Sequence, residues 1–432
     1  MLRGFLNDRS GNFGIMTALL IVPIIGVAGL AVDFTNALTV KSKLQGAGDA
    51  AALAAIATSS PGVQAAFAMN GNGTIPIAES DAKAFFRAQL QNVSGYTIDA
   101  VDASIVKTGN QITSVVNYKA TVTTLLSQVL GHPIVQVAGH ATATYETAMY
   151  RNFYLLLDNT PSMGVAATPS DIDTMVNNTP DKCAFACHVV KSDGTEDPSS
   201  YYTLAKNLGV TTRINVVAKA TAALMDEARN DRQNVNQYRM GVYTFGQKAE
   251  TAGLSEVVAP TTDLVTAKTS ASKIDLMSIP YQGYNDDQLT SFDSALTQLA
   301  LKMGTAGDGT SLNSPQKIIY MVSDGVGDSN KPTSCTKQLA DATRCQEPID
   351  TRICDTLKKQ GYTIAILYTT YLPLPTNDWY NTWISPFQSQ IGTNMKTCAS
   401  PGLYFEVSPT QGISDAMSAL FKKIVSMPRL TS

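Results

Sequence analysis

The apolar positions fall into three regimes along the 432 residues. First, no charged residue lies between Arg9 and Asp33, and Phe13 to Val32 is almost wholly apolar. About 20 such residues at 1.5 Å each match a bilayer core of roughly 30 Å, so residues 13–32 read as a transmembrane helix. The stretch is too long for the 7–15-residue apolar region of a cleaved signal, which favours an anchor. Residues 33–57 continue without proline and carry seven alanines in their last eleven positions, predicting that the helix runs on past the membrane, either as a plain stalk or as a shaft that a partner helix can approach closely. A second regime opens where Ser59-Ser60-Pro61-Gly62 breaks the helix and residues 70–76 form a loop. It contains an amphipathic stretch, Ser80–Leu90, and three β-type runs: Thr97–Lys107, Gln111–Val122 and Pro133–Thr147. Residues 60–148 therefore read as a small α+β spacer with an antiparallel sheet.

From about residue 149 the period changes again. Strands are expected at Phe153–Leu157, Tyr238–Phe245, Lys317–Val322, Tyr362–Tyr368 and Leu403–Val407, and helices at Arg213–Arg229, Leu289–Met303, Ile349–Gln360 and Ile413–Val425. Strands alternating with helices argue for an α/β unit, a mostly parallel sheet covered on both faces, over residues 149–432. Residues 165–209 interrupt the pattern as an insertion. Such sheets bind ligands beyond the carboxyl ends of their strands, which is where chemistry is to be sought.

Composition narrows the function. Lys+Arg total 32 against 35 Asp+Glu, a balance that lacks the basic footprint of a nucleic-acid binder. Only 16% of residues are charged and 44% are hydrophobic, so the chain has ample material for a core. Arg3 and Arg9 precede the apolar stretch, placing the N-terminus in the cytoplasm and exporting the rest. Three histidines (His132, His140, His188) leave little room for a His-rich zinc enzyme. Neither a G-x-S-x-G elbow nor a G-x-x-x-x-G-K phosphate loop occurs, so no enzymatic activity is expected.

Three segments offer oxygen ligands at strand ends or helix starts. Asp158-Asn159-Thr160-Pro161-Ser162 follows the first strand, Thr290 sits where a helix opens, and Val322-Ser323-Asp324-Gly325 ends the neighbouring strand. Hard donors of this kind suit Mg²⁺, with Mn²⁺ or Ca²⁺ as substitutes, and do not suit zinc. With few protein charges around it, the ion would stay electrophilic and accept a carboxylate from a partner. The pattern resembles the metal-ion-dependent adhesion site of von Willebrand factor type A domains, with Asp158, Thr160, Ser162, Thr290 and Asp324 at the matching positions. Thr160 stands where serine is commonest.

The anchor with its basic lead, the AGDAAALAA helix, the LLLDNTPSMG turn, the DKCAFACH insertion and the late Cys398 before LYFEV together resemble the TadG-like proteins of the tight-adherence (Tad/Flp) pilus machinery. That resemblance implies a doubly wound, Rossmann-like A-type domain behind the anchor and spacer. It also implies a single-pass protein of the bacterial inner membrane, mostly periplasmic, with later surface exposure open. Its role would be in pilus assembly or adhesion, engaging pilus or secretion components through an ion-bridged carboxylate. The alternative is a minor pilin-like subunit with a degenerate ion site. A prepilin glutamate five residues into the mature helix would support that alternative, and no acidic residue lies between positions 9 and 33.

All six cysteines lie in the C-terminal region. An even number in an exported segment favours disulfides. The expected pairs are Cys183–Cys187, Cys335–Cys345 and Cys354–Cys398, among 15 possible connectivities. The rival reading of CAFACH with His188 as a metal or haem-like site fails on spacing, since c-type haem attachment uses C-x-x-C-H. The insertion and the aromatic segment Tyr368–Trp383 both follow strand ends. Each is a candidate specificity or partner surface, against a solvated insertion or simple packing.

Overall fold

The first regime folds as one helix, α1 (Gly11–Ala55), of 45 residues with Pro23 inside it. At 1.5 Å per residue it is about 68 Å long. The computed structural model describes residues 11–426 apart from 70, 91–94, 283, 285–288, 372, 374, 376–377 and 409–411; Arg3 and Arg9 lie outside the described residues. Among the described residues, α1 is the one helix long and apolar enough to cross a membrane. The chain divides into two units, Met1–Ala148 and Met149–Ser432.

In the N-terminal unit, residues 33–55 are not a free stalk. Asp33, Ala37, Val40, Leu44, Ala47, Ala51 and Ala55 are buried at intervals of three or four, a single stripe along α1. Small side chains on that stripe let α1 lie close against a four-stranded antiparallel sheet. Its strands are β1 (Gly73–Thr74), β2 (Tyr96–Thr108), β3 (Gln111–Thr123) and β4 (Ile134–Glu146), side by side in that order. Two short helices complete the layer, α2 (Pro61–Ala68) and α3 (Pro76–Ala88). Ser60-Pro61 follows the end of α1 and begins α2, where Ser60 Oγ accepts from Val63 N at 3.1 Å with Pro61 in the first turn, while the expected loop at 70–76 instead holds β1 and the first residue of α3. Buried Lys107 donates from Nζ to the carbonyls of Ala66 and Met69 at 2.9 and 3.2 Å, satisfying the end of α2.

The C-terminal unit is built on six strands: β5 (Arg151–Leu157), β6 (Tyr238–Thr244), β7 (Ser255–Thr261), β8 (Gln316–Ser323), β11 (Thr363–Thr369) and β12 (Tyr404–Val407). They lie in the order β12-β11-β8-β5-β6-β7, all parallel except β7. Alternate residues of β5 face opposite layers. Phe153, Leu155 and Leu157 pack with α6 (Arg213–Asp231), α7 (Leu264–Ala271) and α11 (Ile413–Ser426). Tyr154 and Leu156 pack with α8 (Phe292–Met303), α9 (Thr351–Lys359) and α10 (Gln388–Cys398). A sheet covered on both faces calls for continuous apolar runs, as in Phe153–Leu157 of β5 and Ile318–Val322 of β8. The insertion contributes α4 (Pro169–Asn178) and α5 (Tyr201–Asn207), and a separate hairpin pairs β9 (Val326–Asn330) with β10 (Arg344–Pro348).

Two of the expected disulfides are present, Cys335–Cys345 beside the hairpin and Cys354–Cys398 joining α9 to α10. The expected Cys183–Cys187 bond is not: both thiols are free. The segment between them runs alongside Gly164–Ala166, with Ala166 N bonded to Ala184 O and Ala186 N to Gly164 O. Extended chain advances about 3.3 Å per residue, which carries a four-residue interval beyond the Cα separation a disulfide tolerates.

Candidate functional site

Neighbouring strands β5 and β8 leave the sheet with their carboxyl ends side by side, at the point where the strand order reverses. Parallel sheets open a crevice there. Asp158 continues the β5 ladder by one bond, its N–H donating to Val322 O at 2.9 Å. Its carboxylate is fully buried and held by three donors. Oδ1 accepts from Thr160 N (3.0 Å) and Thr160 Oγ1 (2.7 Å), and Oδ2 accepts from Ser323 Oγ (2.5 Å). Asn159 points elsewhere and fixes the turn. Its side chain donates to Gly246 O at 2.7 Å and accepts from Phe245 N at 3.1 Å, while its carbonyl accepts from Met277 N at 2.7 Å. Turned this way, the loop brings the Thr160 and Ser162 hydroxyl oxygens to 3.5 Å.

Asp324 follows β8 and is also fully buried. One oxygen accepts from Val326 N at 3.3 Å; Oδ2 has no hydrogen-bond partner. Gly325 makes the turn possible, with φ +75° and a position where a Cβ would lie 2.8 Å from Ile391 Cγ2 and 2.9 Å from Met395 Cγ. Thr290 joins the start of α8 to β9 through two backbone bonds with Asp328, both 3.0 Å.

The charges at this point do not balance. Burial raises the Asp158 carboxyl above the usual carboxylate range. Burial and then the Asp158 charge push Asp324 up to about 7, against the pull of Arg213. Arg213, in the first turn of α6 and itself buried, brings Nη1 to 3.7 Å from Asp324 Oδ2, and its Nε has no hydrogen-bond partner. Two buried carboxylates thus share one guanidinium.

Thr160, Ser162 and Thr290 line a single cavity of about 370 Å³, while Asp158 and Asp324 are buried behind its wall. Phe185 and Cys187 of the insertion and Tyr371, Trp379 and Tyr380 of the aromatic segment form much of the remaining lining. Both segments therefore rim the site, but the insertion does so with apolar residues. Its acids Asp171, Asp173, Asp181, Asp193, Glu196 and Asp197 do not appear in the wall. Arg344 forms another side, bonded to both oxygens of Asp328 (2.9 and 2.5 Å) and stacked 4.6 Å over Trp379. Sequence reasoning missed Ser323, Asn159 and Arg213. Ser323 was findable as the hydroxyl adjoining Asp324, whereas Arg213 reaches the site only through the packing of α6.

Residues 11–66 match the model of a family described as putative Flp pilus-assembly TadE/G-like proteins. No curated protein matches the chain. Among solved structures, the pilus adhesin SpaC from Lactobacillus rhamnosus GG is 14% identical over 78% of this chain, with TM-score 0.38. The match takes in 34% of that protein, so the chain spans about a third of its length. The vWF domain of the type V pili tip protein Mfa5 from Porphyromonas gingivalis is 8% identical over 66% of this chain and 99% of its own, with TM-score 0.38. Proximal thread matrix protein 1 from the mussel byssus, with a zinc-occupied MIDAS motif, is 13% identical over 64% of this chain and 46% of its own, with TM-score 0.34.

Proposed function

We propose that the chain is a membrane-anchored component of Tad/Flp pilus assembly or adhesion that binds a protein partner through a divalent cation. In this reading the C-terminal unit is a doubly wound, Rossmann-like von Willebrand factor A domain. Asp158, Thr160, Ser162, Thr290 and Asp324 hold Mg²⁺, with Mn²⁺ or Ca²⁺ as substitutes, and a carboxylate of the partner completes the coordination. The N-terminus is cytoplasmic and the bulk of the chain periplasmic. The TadE/G-like match over residues 11–66 supports the pilus context.

One observation carries the ion: Asp324 Oδ2 is buried without a hydrogen-bond donor, among hydroxyls and beside a second buried carboxylate. A buried acceptor left unsatisfied is costly, and two carboxylates on one guanidinium lack positive charge. A divalent cation gives that oxygen an acceptor for its lone pair and supplies the missing charge. The donors are all hard oxygens, which fits Mg²⁺.

Trp379 and Trp383 are the chain's two tryptophans and both lie in the C-terminal unit, so tryptophan fluorescence follows that unit within the intact, detergent-solubilised protein. An ion at about 100 times its Kd adds about 2.7 kcal/mol to folding, a rise of several degrees in thermal midpoint. Mg²⁺ is expected to raise the midpoint of the wild-type chain, EDTA to reverse it, and the double variant Asp158→Ala, Asp324→Ala to stay folded and unresponsive. A wild-type midpoint indifferent to Mg²⁺, Mn²⁺ and EDTA would remove the ion from the proposal.

A further inference from the structure

The β3–β4 loop, Thr124–Pro133, is unusual for a connection outside a membrane. Leu125, Leu126, Val129 and Leu130 are all exposed, Val129 to 83%, and Ile134 continues the patch at the start of β4. Single exposed apolar residues need no explanation, but five within ten positions form a contiguous apolar surface. No Asp, Glu, Lys or Arg occurs between Lys119 and Glu146.

The loop is held at a particular height on α1. Asp33 closes the apolar stretch, and its carboxylate accepts from the N–H groups of Leu125 (2.9 Å), Leu126 (3.0 Å) and Ser127 (2.6 Å) and from Ser127 Oγ (2.6 Å). Beyond Asp33 the loop reaches back along the apolar part of the helix. A Cβ on Gly29 would lie 2.7 Å from Leu126 Cβ, and one on Gly26 would lie 3.6 Å from Leu130 Cδ1. Gly26 precedes Asp33 by seven residues, about 10 Å along the helix axis. The loop therefore shares the depth of Leu30 and Val32, exposed residues of α1 that a bilayer around the helix would cover.

Its backbone is also fit for that depth. Besides the three amides on Asp33, Thr124 N bonds Pro133 O, Val129 N bonds Leu126 O, Gly131 N bonds Gln128 O and His132 N bonds Ser127 O. Chain that enters lipid must satisfy its polar groups internally, and this loop does so over most of its length. We propose that Leu125–Ile134 inserts into the same membrane as α1, on the side where α1 emerges, seating the N-terminal unit in the leaflet as an interfacial apolar element. The proposal rests on α1 spanning the membrane, and continuity with that span favours lipid over a protein partner as the occupant.

The test uses the full chain in a Cys183→Ser, Cys187→Ser background, whose other four cysteines are in disulfides. An environment-sensitive fluorophore is placed at Val129→Cys, at Leu20→Cys in the span, or at Leu301→Cys on the exposed surface of α8. Each protein is reconstituted into phosphatidylcholine–phosphatidylglycerol vesicles with doxyl-labelled lipids. The label at 129 is expected to be blue-shifted and quenched best by doxyl near the headgroup, that at 20 by mid-chain doxyl, and that at 301 by neither. Water-like emission at 129 with a quenched label at 20 would overturn the inserted loop while leaving the span standing. Blue-shifted emission at 129 without lipid quenching would assign the patch to a protein contact and equally overturn it. An unquenched label at 20 would overturn the span and the loop together.

Discussion

Replacing Asp324 by asparagine should stabilise the ion-free protein. The substitution keeps the side-chain volume and the oxygen facing Val326 N while removing one of two buried carboxylates that share Arg213. Asp324 is raised from 3.8 to about 7 in the folded chain, first by burial and then by Asp158. Because the folded state holds this proton more tightly than the unfolded state, wild-type stability falls as pH rises through the interval from 3.8 to about 7 and then levels. Every tenfold difference in proton affinity between the two states is worth about 1.4 kcal/mol, so the ionised group costs up to about 4 kcal/mol above pH 7. Urea unfolding in EDTA, followed by tryptophan fluorescence, measures this in the full chain. Asp324→Asn should match wild type near pH 3, exceed it by about 1–2 kcal/mol at pH 5 and approach about 4 kcal/mol at pH 7.5. Saturating Mg²⁺ should narrow the gap by stabilising wild type alone. A variant less stable than wild type at pH 7.5, or a difference that does not change with pH, would refute the strained carboxylate pair.

Two further outcomes follow from the same structure. Asp33→Ala leaves three amides and the Ser127 hydroxyl without their acceptor, at about 1–3 kcal/mol for each buried donor; hydrogen exchange at Leu125–Ser127 should accelerate by more than tenfold, and unchanged exchange would show that the carboxylate does not hold the loop. Non-reducing peptide mapping should find Cys335–Cys345 and Cys354–Cys398 linked and Cys183 and Cys187 open to alkylation; breaking the 44-residue closure with Cys354→Ser and Cys398→Ser should lower stability by about 4 kcal/mol, measured by the same unfolding assay.

The strands nearest the site were legible because they are buried on both faces. β5 and β8 are continuous apolar runs, and they lie within two residues of their expected bounds. β7 was not, since it is an antiparallel edge strand with no buried residue and a proline, so little in its pattern sets it apart from a loop. α10 was missed because QSQIGTNMKTC buries only Ile391, Met395 and Cys398. At the candidate site, spacing picked out three hydroxyls that line one cavity, Thr160, Ser162 and Thr290, and two carboxylates buried behind its wall, Asp158 and Asp324, because such residues at strand ends can be read in order. Arg213 was illegible for the opposite reason, as an arginine opening a helix is ordinarily solvent-facing and only the three-dimensional packing of α6 turns it inward. The Cys183–Cys187 expectation failed on conformation, because four residues permit a bond only if the chain between them folds back.

The continuity of α1 has a mechanical consequence. The apolar span and the shaft on which the N-terminal sheet is laid are one helix, unbroken from Gly11 to Ala55, with Asp33 clamping the β3–β4 loop midway. There is no swivel between them. If α1 spans the membrane as proposed, tension applied to this unit passes along the helix axis into the bilayer, and a rotation of the span turns the sheet with it, as the head of a rivet turns with its shank.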